Sequence, residues 1–159
     1  MDTAPLSEIK KELKVLSSQQ LQEIILRLAK FKKENKELVH YLLFESFNRQ
    51  VYVQNIKEEI DDQFSQFNRK KTFEVKKIIR KTLRNTKKYV RFSGSKEIEM
   101  ELLIYFCLKI KNSNIRMHSN RGILILYQNQ LTRIKKINSM LHEDLQSDFE
   151  ADIKKLEDI

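Results

Sequence analysis

The chain has 159 residues, 40% apolar and 33% charged, with a formal net charge of +9. Those values suit one globular domain with a real core, and they argue against disorder. Two glycines, one proline and one cysteine argue against a strand-and-turn protein and exclude an internal disulfide or a multi-cysteine metal site.

The elements expected in chain order are all helices. The first covers about Leu6–Leu16, entered through Pro5, with Leu6, Ile9, Leu13 and Leu16 turned inward. Ser17 opens the second, because Ser17 and Gln20 have capping-box spacing; Leu21, Ile24, Ile25, Leu28 and Phe31 continue its apolar face. The pattern restarts near Lys33–Asn35 and gives a densely apolar third helix from Leu38 to Phe47. A fourth runs through Val53, Ile56, Ile60, Phe64 and Phe67, with Glu58, Glu59, Asp61 and Asp62 on its polar side.

The fifth helix lies within residues 69–91, which hold eleven Lys or Arg and one acid, Glu74. The rest of the chain is almost neutral, so the charge is a local feature. At ~100° per residue, Lys76, Lys77, Arg80, Lys81, Arg84, Lys87, Lys88 and Arg91 fall on an arc of about 140°. Val75, Ile78, Ile79, Thr82, Leu83, Thr86, Tyr89 and Val90 fill the opposite side. Such a helix packs with one wall and offers the other to water or a partner.

Ser93-Gly94-Ser95 ends that helix, and a sixth covers about Lys96–Lys111. Its stretch Leu102–Leu108 is apolar on every side and is expected at the centre of the domain. After a loop at Asn112–Gly122, one apolar seam runs from Tyr127 to Leu156. Ser147 and Glu150 have capping-box spacing, which suggests two helices there. A short strand at Ile123–Tyr127 is an alternative reading of that segment.

The resulting fold class is all-α: seven or eight helices in antiparallel hairpins, as a short helical-repeat-like array or an irregular bundle. The array is slightly favoured, since hairpins with short links pack naturally side by side. Residues 1–159 read as a single all-helical domain, whose acidic end from about residue 147 is either packed or a flexible tail. The segment LSSQQLQEIILRLAKFKKENKELVHYLLFE, residues 16–45, has a short L-T/S-x-x-x-L entry before a helix and then an apolar helix. It resembles the start of small bacterial all-helical proteins of unknown function. The resemblance implies a helical fold and a bacterial origin, and transfers no functional residues.

For function, the basic helix is the main signal. Uniform lysine enrichment would put about four or five bases in a window of that size, so composition does not explain eleven. The expected function is a non-catalytic binding module whose basic face engages an acidic partner, nucleic acid first. Lys77, Arg80, Lys81, Arg84, Lys87, Lys88 and Arg91 are the candidate contacts. Arg116, His118 and Arg121 extend the patch if they lie nearby, and Phe73 and Phe92 could stack on bases if exposed. Few Asn or Gln besides Asn85 stand on that face, so contact should be with the backbone and weakly selective.

The competing reading is internal neutralisation. Residues 143–159 carry seven acids against Lys154 and Lys155, and the fourth helix adds four carboxylates. Either would cancel the field by lying beside the fifth helix. The alternative function is a protein–protein interaction or scaffold domain that binds no nucleic acid, its basic face meeting an acidic protein surface.

Enzymatic activity and cofactors are not expected. Glu37 and His40 have the Glu-x-x-His spacing of a metal-binding helix, but the second copy that a dinuclear site needs is absent. Cys107 lies among large apolar residues and should be buried and inert. The start, MDTAPLSEIKKEL, has no apolar signal core, and no apolar run approaches the ~20 residues of a membrane span. A cytoplasmic location without membrane contact is the expectation; the oligomeric state is left open.

Overall fold

A computed structural model describes residues 2–69 and 71–158, residues 68 and 69 by their backbone alone. Among the described residues the protein is all-α, with eight α-helices and no strand. These are α1 (Leu6–Val15), α2 (Ser18–Phe31), α3 (Lys33–His40), α4 (Arg49–Ser65), α5 (Thr72–Ser93), α6 (Lys96–Lys111), α7 (Arg121–Asn138) and α8 (Glu143–Glu157). A π turn at Tyr41–Glu45 follows α3, and a 3-10 turn at Gln66–Arg69 follows α4. Internal contacts divide the chain into two compact units, Met1–Ser46 and Phe47–Ile159.

In the first unit the local signals work as the sequence implies. Ser17 Oγ accepts from Gln20 N–H at 3.2 Å, and Gln20 Oε1 accepts from Ser17 N–H at 2.9 Å, closing the capping box of α2. Burial does not follow. Leu6, Ile9 and Leu13 of α1 are exposed and Leu16 is half-buried, so the expected inward face of the first helix is open to solvent. Among the described residues of this unit only Tyr41 is buried. About 45 residues in three short helices enclose too little volume to surround an apolar side chain.

The second unit holds the core. α6 touches α4, α5, α7 and α8, so it is the central helix of this unit, an arrangement that fits an irregular bundle and a short helical array alike. Met100, Leu102, Leu103, Ile104, Phe106, Cys107 and Ile110 of α6 are buried, as a helix apolar on all sides requires. Buried polar ties fix the surrounding helices: Tyr127 Oη donates to the Leu156 carbonyl at 2.9 Å, and Tyr52 Oη to the Tyr89 carbonyl at 3.0 Å.

Two local expectations change. Ile123–Tyr127 is no strand; it forms the first turns of α7. Ile123, Tyr127, Gln130, Ile134 and Ile137 recur at helical spacing, and all are buried. The break in the C-terminal seam falls at Ser139–His142, not at Ser147. His142 is the N-cap of α8, and Ser147 lies inside it, its Oγ donating to the Glu143 carbonyl.

Candidate nucleic-acid interface on α5

α5 is set by signals at both ends. Glu74 Oε2 accepts the Lys71 N–H at 3.0 Å, which satisfies a free donor of the first turn. At the other end Gly94 takes φ +62°, a left-handed conformation that suits glycine, and its N–H bonds back to the Val90 carbonyl. Ser95 then caps α6 by accepting the Ile98 N–H.

Between these ends the predicted partition of faces is observed. Val75, Ile79, Thr82, Leu83, Thr86 and Val90 are buried. The two threonines sit in apolar surroundings because each hydroxyl donates to the carbonyl four residues back, Ile78 and Thr82 respectively. On the other wall Lys77, Arg80, Lys81, Arg84, Lys87 and Arg91 are exposed, and Lys88 is half-buried. From Lys77 to Arg91 this row spans about 21 Å, at ~1.5 Å per residue. Lys70 of the basic run lies outside the described residues, as does the side chain of Arg69.

Internal neutralisation can be checked partner by partner. α8 packs on α6 and α7. Its carboxylates pair with cations of α8 itself and of α7: Glu150 with Lys154 at 2.9 Å, Asp152 with Lys155 at 2.7 Å and Glu157 with Lys135 at 2.5 Å. Lys154 holds the Glu150 carboxyl below its ordinary range. On α4, Asp61 takes Lys109 of α6 at 2.7 Å. Glu59 does face α5, but accepts from neutral groups, Asn85 Nδ2 at 3.2 Å and Tyr89 Oη at 2.8 Å. Glu101 is taken by Arg49 and Lys57, and Glu99 by Lys96 and Arg133. Among the described residues no carboxylate lies within ion-pair distance of Lys77, Arg80, Lys81, Arg84 or Lys87.

The other two predicted contacts are placed differently. Lys88 Nζ lies 4.9 Å from the Tyr89 ring centroid and 5.9 Å from that of Phe92, a cation held over aromatic faces. Arg91 is exposed at the end of the row. The flanking aromatics diverge: Phe73 is 77% exposed, whereas Phe92 is half-buried against Tyr89. Asn85, the one amide expected to read base edges, is committed to Glu59.

Of the loop cations, Arg121 starts α7 beside the row. A Cβ added at Gly122 would lie 3.5 Å from Arg80 Nη2. Arg80, Arg84, Lys87 and Arg91 also line a shallow groove floored by Leu83 and by Leu126 of α7. The first turns of α7 therefore border the basic wall. The pattern of residues 112–127 suits a loop or strand as well as a helix, which hides this adjacency in the sequence.

The remaining candidates of other chemistry, His40 and Cys107, stand away from the basic row in sequence and differ in exposure. His40 Nε2 lies 3.8 Å from Glu45 and its ring packs on Phe44, a local arrangement around the π turn. Cys107 is fully buried, and burial pushes its thiol up to about 12 against a smaller opposing pull from Lys87. No helix of the described residues is long and apolar enough to cross a membrane. No family model, no curated protein and no solved structure matches this chain.

Proposed function

We propose that the protein is a non-catalytic binding module whose α5 face contacts the sugar–phosphate backbone of a nucleic acid. The observation that carries this reading is the row Lys77, Arg80, Lys81, Arg84 and Lys87, exposed on a rigid helix with no carboxylate partner among the described residues. Cations in such a row stand ready to neutralise phosphates and release their counterions. The arginines offer forked contacts and the lysines point charges. With phosphates ~3.4 Å apart along a duplex axis, the row continued to Arg91, about 21 Å, faces some six of them on one strand.

The test is fluorescence anisotropy of a labelled mixed-sequence oligonucleotide across a salt series. The expected dissociation constant falls within or below ~10⁻⁴–10⁻⁶ M, and five to seven engaged cations give a log–log salt slope of roughly −4 to −6. Reversal of Lys77, Arg84 and Lys87 to Glu abolishes binding while the helical signal and melting temperature stay nearly unchanged. Retained binding in that variant, or no binding by the wild type at low salt, defeats the reading.

A second reading, a protein-interaction domain without nucleic-acid binding, draws on a different observation. Twelve large apolar side chains among the described residues of Met1–Ser46, from Leu6 to Phe44, are exposed. Exposed apolar surface on that scale is characteristic of protein contact surfaces. A partner protein retained through purification, together with no affinity for nucleic acid, would favour it.

A further inference from the structure

A cleft of about 1050 Å³ opens where the 3-10 turn after α4, the start of α5, the end of α6, residues 112–119 and the first turn of α7 meet. Its volume is at the upper end of small-molecule sites. One wall is aromatic. Phe64 and Phe67 stand 4.5 Å apart, and Phe64 is held edge-on by buried Phe106 at 5.9 Å, so the rings are fixed yet only half-buried. Tyr105 adds a third ring, whose hydroxyl is already committed to Asp61 at 2.7 Å.

Other lining residues are polar. Asn120 is 93% buried, and its Oδ1 has no hydrogen-bond partner. Its side chain does not cap α7, although it occupies the N-cap position. Buried acceptors are nearly always satisfied, so an unpartnered one beside a cleft marks a place where a donor belongs. Asn112 and Arg116 stand on the same rim, both exposed.

This turn also borders the basic row. The point where a Cβ on Gly122 would sit is 3.9 Å from Asn120 Oδ1 and 3.5 Å from Arg80 Nη2. A strand whose phosphates follow Arg80 and Arg84 thus passes the rim of the cleft. DNA phosphates and sugars bring acceptors, while base edges bring N–H donors on a flat ring that stacks on phenylalanine. The bases of a duplex are paired and stacked, and must be extruded before they can enter such a cleft.

We propose that this cleft receives an unpaired nucleobase, making the protein selective for single-stranded over duplex nucleic acid. The proposal rests on the backbone-binding reading above and adds to it a ligand class and a second site. It also reverses an order of affinity, because a surface that read only backbone charge would favour the duplex, which has the higher charge density.

The experiment compares three labelled DNA probes of equal length at one salt concentration: a mixed-sequence single strand, its duplex, and a single strand of abasic sites. The expected result is about tenfold tighter binding of the intact strand than of either other probe, the size of one base–aromatic stack. A 2-aminopurine in the intact strand should lose fluorescence on binding. Phe67→Leu, which keeps an apolar side chain of similar size, should remove both the preference and the quenching while duplex affinity holds. Equal binding of the intact and abasic strands, or tighter binding of the duplex, overturns the cleft proposal and leaves the backbone reading standing. No binding of any probe overturns both. The wild-type comparison does not depend on any variant folding.

Discussion

Glu99 illustrates how single residues hold the second unit together. Burial alone pushes its carboxyl up, but hydrogen bonds from Lys96 and Arg133 outweigh that effect and hold it below its ordinary range. Arg133 grips both oxygens, at 2.7 and 2.9 Å, and so ties α7 to the start of α6. A group whose folded pKa is depressed contributes stability above its unfolded value of ~4.3, and that stability is lost as pH falls through the folded value. Glu99→Gln should therefore cost about 1.5–3 kcal/mol near neutral pH, the range for hydrogen bonds to a charged group. Urea unfolding of both proteins should show the gap closing below the ordinary carboxylate range. A gap that persists unchanged in acid would assign the loss to packing. None of this was legible in the sequence, because Glu99 and Arg133 are 34 positions apart and look like any surface pair.

At the scale of elements, the sequence was most legible where signal and burial agree. α5 is the clearest case: its wheel separates threonines, valines and isoleucines from the cations, and the helix buries that apolar wall. α7 was less legible, because Ile123–Tyr127 is a run of large side chains short enough for either a strand or a helix. Only the later positions Gln130, Ile134 and Ile137 resolve its period. The cleft was not legible at all. Phe64, Tyr105 and Asn120 come from three elements, and their meeting follows from how those helices pack. Gly94 gives the element scale its test. It has φ +62°, and no atom lies within 4 Å of the Cβ it lacks, so a substitution there meets conformational strain and no clash. Gly94→Ala should cost about 1 kcal/mol, and Gly94→Asn less, since asparagine tolerates the left-handed region. The denaturant midpoints of the two variants should fall in that order. Equal midpoints would mean that the α5–α6 junction relaxes at no cost.

For the whole molecule, composition is a poor guide to where the core lies. Apolar residues are common in both units, yet among the described residues every buried apolar side chain except Tyr41 belongs to residues 47–158. The difference is geometric. In the second unit α6 is surrounded by four helices and can be apolar all round, whereas α1 and α2 have apolar faces of similar quality with too little structure to cover them. Amphipathic spacing establishes that a helix has a side suited to burial; it leaves open whether anything within the chain supplies the cover. If the buried residues are the main source of stability, the second unit carries nearly all of it. Removal of residues 1–46 keeps Asn48, whose Oδ1 accepts the Val51 N–H and caps α4. The shortened chain should melt cooperatively within a few degrees of the full one, since about 1 kcal/mol moves the midpoint of a domain this size by ~4–8 °C. It should also bind the single-stranded probe with the same salt slope, because the basic row and the cleft both lie in the second unit. A broad, non-cooperative melt of the shortened chain would show that Leu6–Phe44 contribute to the folded core.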